Sequence, residues 1–407
     1  MLNEILLAEA RALEKELVEA RRLIHSHAET GMELPHTVGI VLEKLKEYGY
    51  EPVTCGKSGV VALAQGKNTG RTVLLRADMD ALPMKEETEV DFASVNGNMH
   101  ACGHDMHTAM LLCAAKLLKI HERELAGAVK LMFQPGEEIL SGAKDMVENG
   151  VLEDPKADAA FSLHVLSGLS IKPGTAVVPP TGVSAPGADY FEIKVEGRAC
   201  HGSSPWEGTD ALLTASHIAV ALCEIPAREI AGSERAVITI GKMRSGSAAN
   251  AIAGDAMLWG TVRAYSASAR EKAKKRIAEM ASAIASAFGA RAKVLFGMGC
   301  PPLENNADMV RAVEKYSREL LGSSVISAEE AGIGVGGSED FAYIAERVPS
   351  VMVSFSAGEG EYPIHHPKVM FDEGAIPIGG ALYAYNAVRW LEDGGNLPFM
   401  AGGKPND

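Results

Sequence analysis

Three runs of apolar residues limit what this chain can fold into: Thr72–Ala77, Ala128–Phe133 and Ala159–Val165. None of them alternates cleanly between apolar and polar, so each reads as a strand buried on both faces. Helical patterns separate them. Leu2–His27 and Pro35–Tyr48 precede the first run, with a further strand at Val60–Ala64. Asp105–Glu122 carries Met106, Met110, Leu111, Ala114 and Leu117 near one face, and Ser141–Asn149 is a short helix closed by Gly150. Buried strands alternating with helices predict an α/β sheet covered on both sides. Ligands of such sheets gather outside the carboxyl ends of the strands. Asp78 and Asp80, Glu137 and Glu138, and His164 all stand at or just past those ends.

The composition changes at Ile171–Gly187, which is rich in Pro, Gly, Ser and Thr and reads as a linker. After it come strand Tyr190–Val195, helix Asp210–Cys223, strands Ala236–Gly241 and Ala256–Arg263, helix Ala269–Phe288 and strand Ala292–Phe296. The order β-α-β-β-α-β is the split βαβ, or ferredoxin-like, unit. Thr209 before Asp210 marks a helix start, and Gly289 follows the second helix. The expected division is a discontinuous metal-binding domain of residues 1–184 and 298–407, with an inserted domain of residues 185–297. The remainder returns to the first pattern: helix Ala307–Leu321, a glycine-rich loop Gly332–Gly337 leading into Ser338-Glu339-Asp340 and a helix to Glu346, buried strand Ser350–Ser356, and helix Ile376–Leu391. The last eleven residues read as a frayed end.

A net charge of −14 over 407 residues argues against nucleic acid or an anionic membrane surface as partner. The N-terminal segment is amphipathic, unlike a signal peptide, and no run reaches the roughly 18 apolar residues of a membrane span. A cytoplasmic protein is the expectation. The six cysteines, at 55, 102, 113, 200, 223 and 300, form no CxxC pair and no disulfide framework.

Met99-His100-Ala101-Cys102-Gly103-His104-Asp105-Met106-His107 packs one thiol and three imidazoles into nine residues. Thiolate, imidazole and carboxylate together are a transition-metal ligand set. Five residues could hold metal: Cys102, His104, Glu138, His164 and His365. They are too scattered for a zinc finger, so the fold must bring them together. Five ligands exceed one tetrahedral ion and point to two divalent ions, with zinc, manganese, cobalt or nickel all admitted by the donor types. His107 and His121 fall on the helix and receive no role. Glu137 and Glu138 are adjacent, so their side chains diverge, which suits one ligand and one general base. Asp80 would orient an imidazole ligand from behind. In the inserted domain, Cys200-His201-Gly202 precedes Ser203-Ser204-Pro205 as a polar turn. Asn250 and Arg263 fall near the ends of neighbouring strand segments, and Arg263 could hold a substrate carboxylate bidentately.

Arg76-Ala77-Asp78-Met79-Asp80-Ala81-Leu82-Pro83, Met99–His107, Gln134-Pro135-Gly136-Glu137-Glu138 and His365-His366-Pro367 together resemble the di-metal amidohydrolases. That family includes hippurate hydrolase, auxin-conjugate (indole-acetyl-amino-acid) hydrolases and N-acyl-amino-acid carboxypeptidases. The resemblance begins at Arg22-Leu23-Ile24-His25 and covers nearly the whole chain. It implies a zinc-peptidase-like catalytic domain with an inserted ferredoxin-like lid through which two subunits pair, giving a homodimer or larger assembly. It implies Cys102, His104, Glu138, His164 and His365 as ligands and Glu137 as base. It also implies His201 as a lid histidine that enters the partner subunit's site and steadies the oxyanion, with Asn250 and Arg263 near the substrate. Ala28 departs from a proline frequent in the family, and Ala251-Ile252-Ala253 from Val-Ile-Pro. The expected activity is hydrolysis of N-acyl amino acids to a carboxylate and a free amino acid, by attack of a metal-bound hydroxide with Glu137 as base. A dipeptidase or an N-acetyl-amino-acid deacetylase on the same scaffold is the alternative within hydrolases. A non-catalytic metal-binding protein is the alternative outside them, and the spare carboxylate speaks against it.

Overall fold

The structure, a computed structural model, describes residues 2–67, 70–334, 336–358 and 360–394. The last eleven residues, expected to fray, lie outside this range, and so does position 335 of the expected glycine-rich loop. The described residues fall into two compact units. One comprises 2–184, 304–334 and the chain from Asp340; the other comprises 185–303 and 336–339.

The first unit is built on an eight-stranded sheet. Its order is Val53–Cys55, Gly59–Gln65, Ala128–Gln134, Thr72–Asp78, Ala159–Leu166, Ser350–Ser356, Ala176–Val178 and Val325–Ser327. The four strands from Ala128–Gln134 to Ser350–Ser356 run parallel. Every residue of Thr72–Asp78 and of Ala128–Gln134 is buried, so both faces of the sheet centre are covered. The chain leaves Thr72–Asp78, crosses by helix His104–Ile120 to the strand on one side, and then passes to the strand on the other. Strand order therefore reverses about Thr72–Asp78, and the carboxyl ends there frame a crevice.

Several expectations change in this unit. The first helix is two, Leu2–Ala12 and Glu14–Ser26, separated at Leu13. Helix His104–Ile120 is buried well beyond the face that carries Met106, Met110, Leu111, Ala114 and Leu117. All residues from His104 to Ala115 are buried, because it packs against the sheet and helices Glu14–Ser26 and Ala375–Glu392. Part of the expected linker is strand: Ala176–Val178 is apolar and fully buried, and it slots between Ser350–Ser356 and Val325–Ser327.

The second unit has the ferredoxin-like topology. Its four antiparallel strands lie in the order Ala236–Ser245, Asp255–Ala264, Gly187–Glu196 and Arg291–Cys300. Helices Ala211–Leu222 and Ala267–Ala287 pack on the sheet. The first is capped by the Asp210 side chain, one residue beyond the expected Thr209, and the second by Ser266. Ala269, Ala273, Ile277, Ala281 and Ala285 form the buried stripe of the second helix, and small side chains every fourth residue let it approach closely. Segment Ala211–Glu229 is long and apolar enough to cross a membrane by length and composition alone. Its inward residues Ala211, Ala215, Ile218, Leu222 and Ile225 instead form part of this unit's core.

Candidate metal centre

The crevice opens where two strands part. Thr72–Asp78 and Ala159–Leu166 are in register from Val73 opposite Ala159 to Arg76 opposite Ser162, and the ladder stops there. Side chains take over the hydrogen bonding. Tyr383 Oη donates to the Arg76 carbonyl at 2.6 Å and accepts from the Leu163 amide at 2.8 Å. One step farther, His107 Nδ1 donates to Asp78 Oδ1 at 2.5 Å, and its Nε2 accepts from the Val165 amide at 2.7 Å. Two buried side chains thus wedge the strands apart at the point where His164 must face the crevice.

The nine-residue motif enters the same space. Gly103 has a φ of +86°, and a Cβ there would lie 2.4 Å from Val165 Cγ2 and 2.9 Å from Phe371 Cζ. Only glycine fits between Cys102 and His104. His104 begins the long helix and donates from Nδ1 to the Asp80 main-chain carbonyl at 2.7 Å, which turns Nε2 into the crevice. His164 donates from Nδ1 to the Val165 carbonyl at 2.8 Å, leaving Nε2 3.5 Å from Cys102 Sγ. His365 arrives on a separate loop with a φ of +66°, unusual outside glycine, and its amide donates to the Ala101 carbonyl at 2.8 Å. Its Nε2 lies 3.6 Å from Glu138 Oε1, which is 4.0 Å from His104 Nε2.

Two groups result. Ligand atoms of Cys102, His104 and His164 all lie within 4.8 Å of one another, and so do those of Cys102, Glu138 and His365. The structure thus brings together the five residues singled out from the sequence, with Cys102 common to both groups. His104 Nε2 and Glu138 Oε1 are buried and have no hydrogen-bond partner among the described residues. Buried polar atoms are rarely left so. The donor set and the orphaned atoms fit divalent cations.

The electrostatics agree. Burial pushes the Cys102 thiol well above its ordinary range and raises the Glu138 carboxyl to about 7. Burial also lowers the His164 imidazole to about 3 and lowers that of His365. Burial would lower His104 too, but Asp78 and the Cys102 sulfur outweigh it and hold its proton affinity well above normal. For Asp78, burial opposes ionisation, yet Arg76 and the two histidines hold it well below the usual carboxylate range. Thiolate and carboxylate at this depth call for positive charge between them.

Asp80 meets both the turn of the two glutamates and the imidazole of His104. Its carboxylate accepts the Glu137 amide at 2.9 Å and the Glu138 amide at 3.1 Å, fixing the turn that carries both glutamates. Its contact with the imidazole of His104 runs through the main-chain carbonyl, with the nearer carboxylate oxygen 3.5 Å from Nδ1. Glu137 is buried beside Glu138, and a ligand atom of each lies within 4.8 Å of one of His104.

The remaining three expected residues lie in the second unit. Cys200–His201 pairs with Ala251–Ile252, and the Gly202 amide donates to the Asn250 carbonyl at 2.8 Å, so His201 and Asn250 share one small exposed ribbon. His201 Nδ1 accepts from the Ser203 amide at 3.2 Å. Arg263 stands elsewhere, bonded to Ser338 Oγ and lying 5.7 Å from the centre of the Tyr190 ring. Asn250 precedes the start of strand Asp255–Ala264 and Arg263 is near its end. Eight strand steps separate Asp255 from Arg263, about 26 Å at the usual rise of about 3.3 Å. Within one subunit the ribbon and Arg263 do not meet.

His107, Asp78 and Tyr383 had no assigned role from sequence. The signal for His107 was present, one helical turn after His104, but its partners come from two other strands.

Residues 74–388 match the family model described as peptidase family M20/M25/M40. The chain is 35% identical to N-acetyl-L-cysteine deacetylase of Bacillus subtilis over 383 residues, 94% of this chain and 89% of that one. It is 33% identical to hippurate hydrolase of Campylobacter jejuni over 389 residues, covering 95% and 100%. Among solved structures it is similar to a dinuclear metal-binding peptidase of the M20 family from Bacillus subtilis, with a TM-score of 0.77, 32% identity, and coverage of 94% and 99%. Matched across most of its length by the family model and by such relatives, the chain belongs to peptidase family M20/M25/M40.

Proposed function

We propose that this protein hydrolyses N-acyl amino acids, releasing a carboxylate and a free amino acid. The observation that carries the reading is two ligand groups joined at Cys102, with the spare carboxylate of Glu137 beside them. Cys102, His104 and His164 would hold one divalent ion, and Cys102, Glu138 and His365 a second. Bound there, such ions would supply Lewis acidity toward the scissile carbonyl and toward water. Zinc, manganese, cobalt and nickel all suit this donor set.

Glu137 takes the proton of the attacking water on its carboxylate and returns it to the leaving nitrogen. Asp80, by holding the amides of Glu137 and Glu138, keeps base and ligand in fixed relation. Residues 1–184 and 298–407 serve as the catalytic domain, and 185–297 as lid and dimerisation domain. Arg263 receives the substrate carboxylate and Asn250 lies near the substrate. His201 steadies the oxyanion in the partner subunit's site. Its separation from Arg263 along the lid sheet supports this division. Leu212, Leu213 and Val220 on helix Ala211–Leu222, and Val237 and Met243 on the edge strand, are exposed large apolar residues suited to a homodimer contact. The cytoplasm is the proposed location.

A panel of N-benzoyl, N-acetyl and indole-acetyl amino acids, with dipeptides as controls, tests the reading by amine release with and without a chelator. Chelator-sensitive release from N-acyl amino acids is expected. Release from dipeptides alone would favour a dipeptidase, and from acetyl substrates alone a deacetylase. No release from any of them would remove the reading.

A further inference from the structure

Segment Gln134–Ala143 carries both Glu137 and Glu138, and one distant carboxylate holds it at both ends. Asp340 is fully buried. Its Oδ1 accepts from Gln134 Nε2 at 2.7 Å, where the segment begins, and its Oδ2 accepts from the Ala143 amide at 2.9 Å, where it ends. Arg76 reinforces the entry side, donating from Nη2 to Asp340 Oδ1 at 3.0 Å and from Nε to Gln134 Oε1 at 2.9 Å. The chain nearly crosses itself between these points. A Cβ on Gly142 would lie 1.5 Å from the Pro135 carbonyl oxygen, so the loop closes only with glycine there. A carboxylate oxygen of Asp340 also lies within 4.8 Å of one of Glu137.

We infer that Asp340 is a positioning residue for Glu137, clamping the entry and exit of the turn on which the base stands. The inference rests on the reading of Glu137 as base. Asp80 fixes the middle of the turn, Asp340 its two ends, and the ligands Cys102, His104, His164 and His365 depend on neither end. Releasing the clamp should therefore misplace the base while leaving most of the metal set in place. A misplacement of about 1 Å can cost on the order of a hundredfold in rate.

Asp340→Asn keeps the shape of the side chain and removes the charge. Gln134→Met removes the entry-side hydrogen bonds of Gln134 with Asp340 and Arg76 and keeps the ion pair between Arg76 and Asp340, so it carries the test if Asp340→Asn does not fold. In metal-loaded enzyme, each variant should lower kcat by about ten- to a hundredfold. KM should stay within about threefold of the parent, the metal content should stay above that of Glu138→Gln, and amide exchange in 136–143 should be at least about tenfold faster. In a Glu137→Gln background the same substitution should add less than about a further twofold loss, because both act through one group. Unchanged exchange, or kcat near the parent value, would overturn the clamp. An equal loss in the Glu137→Gln background would show that Asp340 acts on something other than Glu137. If Glu137→Gln alone turns over normally, the base reading fails and the catalytic half of the inference falls with it, whatever the exchange shows.

Discussion

His104 and His164 each donate Nδ1–H to a main-chain carbonyl, which fixes the tautomer and leaves Nε2 for a cation. The two adjacent glutamates then separate in function by direction alone. Glu137→Gln should retain metal and lose about 10²–10⁴-fold in turnover, the usual loss with a general base. Glu138→Gln should instead lower the metal content, and metal analysis beside initial rates distinguishes the two. Protons compete for this site. The Glu138 carboxyl, raised by burial to about 7, and the Cys102 thiol must both release a proton when a cation binds. Affinity should therefore fall as pH drops, by about tenfold per unit for each proton displaced, and competition titrations at pH 6, 7 and 8 would read it. A pH-independent affinity would contradict the ligand assignment. The ligands were legible in sequence because their chemistry is distinctive wherever they stand. His107, Tyr383 and Asp340 were not, because what they do is set by strand splay and by contacts across up to 307 positions of chain.

Among elements, those with a local signal appeared in sequence close to their true bounds. The βαββαβ order of the second unit could be read because its strands are long and its helices capped. Strand Ala176–Val178 could not. Three residues between Pro- and Gly-rich stretches carry no periodicity, and only its neighbours in the sheet make it a strand. Helix His104–Ile120 shows one apolar face in sequence but is buried on all sides from His104 to Ala115, since a helix surrounded by protein needs no polar face. Its entry is the sensitive point. Gly103→Ala meets both an unfavourable φ and a 2.4 Å approach to Val165. We expect a loss of at least about 1 kcal/mol of stability and reduced metal content, measured by thermal melting and metal analysis. A fully metallated variant with unchanged melting would show that the Cys102–His104 turn tolerates another path.

At the scale of the whole molecule, the lid ribbon and the metal ligands belong to separate units. If His201 serves the partner subunit's site, mixing inactive His201→Ala and Glu137→Gln chains under subunit exchange should restore part of the activity. The heterodimer then holds one site with both defects and one with neither. No recovery despite demonstrated exchange would return His201 to its own subunit or remove it from the mechanism. Hydrolysis at a binuclear site can be read by stripping the protein with a chelator and titrating a divalent ion back while amine release is followed. The stripped protein should show negligible turnover, bind two equivalents per chain, and regain activity as they bind. Full turnover without metal, or saturation at one equivalent with complete activity, would contradict a binuclear hydrolytic site.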